Sequence, residues 1–444
     1  MPDALDRQPE VVATHLAQAG RAVDAIAAWR RAGRRASERS ANVEAVQHFR
    51  NALALLAGLP ANAERDRLEL ALQVSLGGQL IATHGNAAPE VEAAYSAAER
   101  LCVSVEDRGL LFRALRGLQT FAMVRGRVES ATDIGRRLIE IAETDGDAGL
   151  LLQAHRPMGL NLLYCGRYDE ACEQLGHALR LYDPEHHRSH RFDYGSDPAV
   201  LARCNAAWAH WLAGRPVTGL AEAVGAVDLA HSIDHPHSLA FALSFLASVQ
   251  QCRGDAEATL HAASELADVA AQHVFPYWAS WADALGGWAQ GRAGDVNGGV
   301  PRLAAALESY RQTGAELMRP YFLGLLTDVH LGAGMAADAA TCINEAIDRA
   351  RRMNIAFYLP ELLRAQAVTH RASGANEELV ARTLEEAGAV ADMQKSGSWR
   401  LRCLHSRIRL FGSDHTTRQT LHALAESYPE LRNTAEYLEL SRAS

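Results

Sequence analysis

Eight positions mark the turn of a repeat: Asn86, Gly126, Gly166, Gly214, Gly254, Gly294, Gly334 and Gly374. Six of the seven gaps are 40 residues and the seventh, from Gly166 to Gly214, is 48. A fixed period of this length with helix-forming sequence on both sides of each turn is the pattern of stacked helix pairs, none of which buries its apolar face alone. Five residues beyond the turn lie Ala131, Ala171, Gly219, Thr259, Gly299 and Ala339, and seven before it lie Gly159, Ala207, Ala247, Gly287, Thr327 and Ala367. Small side chains on both helices let the two axes approach closely. Leu175, Leu303 and Ile343, nine after the turn, are large enough to fill the space between neighbouring pairs.

The period overrides what length alone suggests, since 444 residues would otherwise make two or three globular domains. The expected fold is all-α: a solenoid of about eight to ten helix pairs. Residues 1–60 form an N-terminal helical module out of phase with the array. Residues 61–395 form the array, with an insertion at 183–198, and residues 396–444 form closing helices. Within the first module Arg30, Arg31, Arg34, Arg35 and Arg39 make a basic stripe, read as a solvated face because Glu38 and Glu44 lie close by.

Several chemistries are disfavoured by residue usage. Of 44 basic residues only Lys395 is lysine, and no glycine-rich loop precedes it, so a phosphate-binding P-loop is ruled out. A net charge of −9 gives no global basic field for nucleic acid. Seven scattered cysteines without CxxC pairs fit reduced thiols in a cytoplasm. No stretch reads as a signal peptide or as a membrane span, so neither a membrane nor a nucleic acid is the expected partner. No cofactor is expected, and the chain is read as non-enzymatic.

Gly159, Gly166, Tyr168, Ala171 and Ala178 follow the pattern of the tetratricopeptide repeat, which the chain resembles. The 40-residue period is longer than that family's usual one and looks like the long-repeat variety of MalT-type regulators. The strings RSANVEAVQHFRNALALL, APEVEAAYSAAERLC, LYDPEHHRSHRFDYGSDP, HPHSLAFAL and TGAELMRPYFLGLL resemble the C-terminal repeat arm of bacterial STAND-type signalling ATPases, including those linked to adenylate cyclase domains. That similarity covers roughly residues 10 to 395. It implies a right-handed superhelix and a sensor or scaffold that binds protein or peptide, and it withholds the ATPase and cyclase activities, whose domains are not in this sequence.

In tetratricopeptide arrays the first helix of each pair lines the concave face, so positions before each turn are the candidate contacts. They are Arg113, Arg116 and Thr120; Gln153 and Arg156; Trp208 and Trp211; Ser244 and Gln251; Trp281 and Trp288; Tyr321 and Asp328; Arg364 and Arg371. Arginine forks suit carboxylates and indoles give apolar contact area. Tryptophans at this spacing also suit a core. The insertion supplies a second candidate in His187, Arg188, His190 and Tyr194. With His186, Asp183, Asp193, Asp197 and the more distant Asp228 it makes a metal site thinkable, although no known ligand spacing occurs and a connecting loop is the preferred reading. Three functions follow: a non-catalytic scaffold, a stand-alone receptor for a small signalling peptide, and, least favoured, a metal-dependent enzyme built on the insertion.

Overall fold

The computed structural model describes residues 8–85, 87–105 and 107–443. Among these residues every regular element is a helix. After a short helix, Pro9–Gln18, the chain runs as successive antiparallel pairs: Ala22–Glu38 with Asn42–Leu56, Ala63–His84 with Pro89–Val105, and Arg108–Val124 with Val128–Asp145. Ala148–Tyr164 pairs with Tyr168–Leu181, and the insertion then makes two short helices, Pro184–His187 and His190–Tyr194. The array resumes with Pro198–Leu212 and Pro216–Ile233, Pro236–Cys252 and Ala256–His273, Pro276–Arg292 and Val296–Gln312. It closes with Arg319–Gly332 and Ala336–Arg352, Leu359–Ala372 and Glu377–Met393, then Gly397–Phe411 and His415–Ser427, a 3-10 turn at Pro429–Asn433, and Ala435–Ala443.

Local chemistry explains the boundaries. The turn glycines from Gly126 to Gly374 hold φ between 73° and 102°, where a side chain would clash with its own backbone. At the first turn the left-handed residue is Gly85, while Asn86, the position expected from the period, lies outside the described residues. Prolines at the first or second position start the helices at Pro198, Pro216, Pro236 and Pro276. Asp107, Asp147, Asp255, Asp295 and Asn376 instead cap helices by accepting a backbone N–H from three residues on. The small-residue positions meet as the spacing requires: a Cβ added to Gly287 would sit 2.9 Å from the carbonyl oxygen of Gly299.

The array winds into a superhelix tight enough for successive turns to touch. A helix ends with carbonyls that have no partner inside it, and here the next superhelical turn supplies one. Val124 oxygen accepts from the backbone N–H groups of Glu316 and Leu317, and Tyr164 oxygen accepts from those of Ala356 and Phe357. Ser396 Oγ donates to the Leu212 oxygen at 2.6 Å, Ser398 Oγ to Trp211, and Arg402 Nη2 to Cys252. One apolar core consequently runs from Ala87 to Cys403 through the superhelix interior. A second joins Ile26, Phe49, Leu72 and Tyr95 at the N-terminal end, and a third gathers Leu401, Leu421, Leu431 and Leu440 at the other.

Candidate functional site

The winding sorts the inward-facing candidates into three regions. In the middle the interior is solid. Trp208 is fully buried, with Phe245, Tyr321 and Phe357 around it at ring separations of 5.4, 5.5 and 5.1 Å. Trp211 packs on Trp399 at 5.0 Å, with the Arg402 guanidinium over both rings. Tyr321 Oη donates to Gln251 Oε1 at 2.8 Å, and Ser244 Oγ donates to the Phe241 carbonyl oxygen. Trp208, Trp211, Ser244 and Tyr321 are therefore interior packing residues that present no face to an open groove.

Towards the C-terminal end a cavity of about 210 Å³ is lined by Gln251, Trp288, Asp328 and Arg364 together with Glu361, Arg402 and Glu436. Its charges are balanced. Glu361 accepts from Arg364 through both oxygens, at 2.7 and 2.9 Å, and from Arg402 at 3.0 Å, while Arg402 also donates to Glu436. Burial pushes the Glu361 carboxyl up, but the two guanidinium groups outweigh it and hold it below its ordinary value. Trp288 Nε1 donates to Asp328 Oδ2 at 2.8 Å. Arg371, on the same helix as Arg364, is exposed.

Towards the N-terminal end a second cavity, of about 90 Å³, collects Arg116 and Arg156 with Gln119, Asn161, Tyr194, His237, Phe245, Tyr277 and Trp281. Arg116 is 7% exposed and Arg156 3%. Among the described residues no carboxylate lines this cavity. Arg116 Nη1 donates to Thr120 Oγ1, but the Nε atoms of Arg116 and Arg156, both amide atoms of Gln119 and Nδ2 of Asn161 find no hydrogen-bond partner. Burial pulls Arg116 down to about 10, with Tyr194 and Tyr95 only partly opposing it, so the group stays charged at neutral pH. Gln153 is buried beside this wall, its Nε2 3.3 Å from His190 Nδ1. Arg113 lies half-buried on a neighbouring, more open cavity shared with Arg30 and Arg34.

The insertion borders that N-terminal cavity. His187 Nδ1 accepts from the Asp183 backbone N–H, and the rings of His187, His190 and Tyr194 follow one another at 5.2 and 5.4 Å. Tyr194 lies under the Arg113 guanidinium at 5.9 Å, whereas Arg188 is exposed. The end of the insertion is pinned down: Ser196 Oγ sits 2.7 Å from His237 Nδ1, and the Asp197 N–H donates to Ser238 Oγ. Among the described residues no three His, Cys, Asp or Glu side chains converge to hold a metal, and the Asp193 side chain lies outside them.

Gln119, Asn161 and His237 were not among the expected contacts. Gln119 carried a usable signal, because it stands seven before its turn, where every later unit has glycine, alanine or threonine. His237 gave none, since only folding sets Ser196 against it.

These features define an all-α solenoid of stacked helix pairs, tetratricopeptide-like in fold. No family model matches the chain. It is 26% identical over 406 residues to an uncharacterised protein of Rhizobium meliloti, covering 90% of this chain and 39% of that one, so it spans about two fifths of that relative's length. Among solved structures it is similar to a Rap protein complexed with competence and sporulation factor, at a TM-score of 0.53 and 14% identity, covering 86% of this chain and 96% of that one. It is also similar to the APC/C hetero-tetramer Cut9–Hcn1, at a TM-score of 0.50 and 11% identity, covering 90% and 76%. At these identities the likeness concerns the fold. Among the described residues no helix is long and apolar enough to cross a membrane.

Proposed function

We propose that the chain is a non-catalytic scaffold that binds a protein or peptide through the inner side of its superhelix, as the sensor or regulatory arm of a STAND-type ATPase or adenylate cyclase signalling system. The observation that carries this reading is the convergence of Arg116, Arg156 and Trp281, from the first helices of three different pairs, on one interior cavity. Successive repeats contribute to a shared binding surface in this way in solenoids generally. The names of the two structural neighbours, one complexed with competence and sporulation factor and one a hetero-tetramer, support a binding role. The strings shared with STAND-type arms support the signalling context, and unpaired cysteines fit a cytoplasmic location.

A second reading, a stand-alone receptor for a small signalling peptide, is favoured by how narrow the interior is, because the filled centre at Trp208 leaves little room for a folded partner.

The test is a crosslinking pull-down with the wild-type chain beside an Arg113→Ala/Arg116→Ala/Arg156→Ala variant, after circular dichroism shows both to be helical. A specific protein captured by the wild type and lost in the variant supports the scaffold. Identical capture by both overturns the assignment of these arginines.

A further inference from the structure

We propose that the cavity lined by Arg116 and Arg156 is a binding site for a small organic acid, its carboxylate held by the two guanidinium groups and its apolar body lying against Phe245, Tyr277 and Trp281. This rests on the reading of the superhelix interior as the ligand-facing side, and it names the chemistry recognised there.

Unbalanced charge sets this cavity apart. Among the described residues two interior cavities contain buried arginines, and the fold treats them oppositely. At Arg364 and Arg402 the fold supplies Glu361 and Glu436, and the guanidinium forks are taken up. At Arg116 and Arg156 it supplies no carboxylate among the described residues. Buried polar groups in folded proteins are nearly always hydrogen-bonded, and a buried cation without a counter-charge destabilises the fold that holds it. Here two cations, a glutamine amide and an asparagine NH₂ are left incomplete around one void. Such a cluster marks a site whose missing partner arrives from outside.

The missing partner can be described. The incomplete groups include four N–H donors, so they call for an acceptor, and the two guanidinium groups call for an anion with planar, fork-matching oxygens. Most of the remaining wall is aromatic and aliphatic, with Trp278, Phe241, Leu160 and Met123 beside the three rings already named, while Thr120, Ser196 and His237 add polar atoms. The tight part of the cavity, about 90 Å³, is smaller than the roughly 150 Å³ that holds a benzene in a protein core. The cavity is partly open to solvent, so a tail anchored by its head at the arginines has a way towards the surface. A free short-chain acid and the C-terminal carboxylate of a short apolar peptide offer the same chemistry.

The test is calorimetry and thermal melting with hexanoate, with hexan-1-ol as the uncharged control, and with acetyl-Leu-Phe as free acid and as amide. Hexanoate or the peptide acid should bind and raise Tm, whereas the alcohol and the amide should do neither. Binding by hexanoate identifies a free acid as the source, and binding by the peptide acid alone identifies a peptide terminus. Arg116→Met and Arg156→Met should each weaken binding at least tenfold while leaving the ligand-free Tm unchanged or higher, because each removes a buried unpaired cation. A purely structural arginine would lower it. Arg364→Lys, in the charge-balanced cavity, serves as a control that should keep the affinity.

The proposal is overturned if hexan-1-ol protects as well as hexanoate, if both methionine variants bind like the wild type, or if neither acid binds at concentrations up to about 10 mM. Hexanoate binding without partner capture would leave this site standing and remove the scaffold. Partner capture that neither acid competes with, together with no acid binding, would do the reverse.

Discussion

Tyr168 Oη lies 2.8 Å from the carbonyl oxygen of Phe357, a residue 189 positions further along the chain, and 2.9 Å from Gln394 Oε1. Its single proton is shared between two acceptors of the overlying superhelical turn. Tyr168 is also the aromatic that follows the turn glycine in the best-formed repeat, so one residue serves both the pair and the stacking of turns.

Replacing Tyr168 with Phe should lower stability by about 1 kcal/mol, because the ring still fills its place while the hydroxyl bond is lost. Phe357 oxygen keeps the Trp399 Nε1 donor at 3.0 Å, which limits the damage. Urea unfolding checks this, and a midpoint equal to the wild type's would mean that the stacked turns do not depend on this contact.

Glu361→Gln should be far more costly, about 3–5 kcal/mol, since it leaves Arg364 and Arg402 buried with too little counter-charge. Because the native carboxyl sits below its unfolded value of about 4.5, its contribution is present above that pH and is lost as pH falls through the native value. Acid titration of stability should therefore be shallower below pH 4.5 in the variant.

Burial drives His237 down to about 4 and His235 to about 3, the latter helped by His237 and Arg191. Both are neutral in the fold while the unfolded chain takes up a proton below about pH 6.5. Stability must then fall as pH drops from 6.5 towards these values. His237→Gln should remove about 2 kcal/mol of the loss between pH 7.5 and pH 5, measured by urea unfolding at the two pH values. Equal pH dependence in both proteins would show that His237 titrates normally.

Val274 ends the helix Ala256–His273 in the left-handed region at φ 56°, a conformation a β-branched residue adopts at a cost, and it is 69% exposed. Val274→Gly should raise stability by about 0.5–1 kcal/mol. Gly254→Ala is the mirror experiment: at φ 75° with open space around it, it should lose about 1 kcal/mol from the backbone alone. Thermal melting of both variants reads the two signs.

Much of the architecture was legible before folding. The 40-residue period gave the helix pairs, the glycines gave their turns, and the small residues at fixed offsets gave the close approach seen between Gly287 and Gly299. These are consequences of local conformational preference and of contacts within one pair, so they repeat in the sequence. The expected inward positions were legible for the same reason, because a helix of known phase fixes which side chains share a face.

What those side chains meet was settled by the tertiary structure. Trp208 and Arg116, six and ten residues before their turns, are both inward positions of a first helix, yet one is enclosed by Phe357 from the overlying turn and the other faces a cavity without a counter-charge. The difference arises from the small rotation between successive pairs, which accumulates over about five units until residues some 189 apart come together. No local pattern encodes that sum. The sequence by itself determined a helix-pair solenoid and the side chains that share a helix face, whereas the pitch of the superhelix decided where its interior is solid, where its charges are balanced, and where two buried arginines face a cavity without a carboxylate.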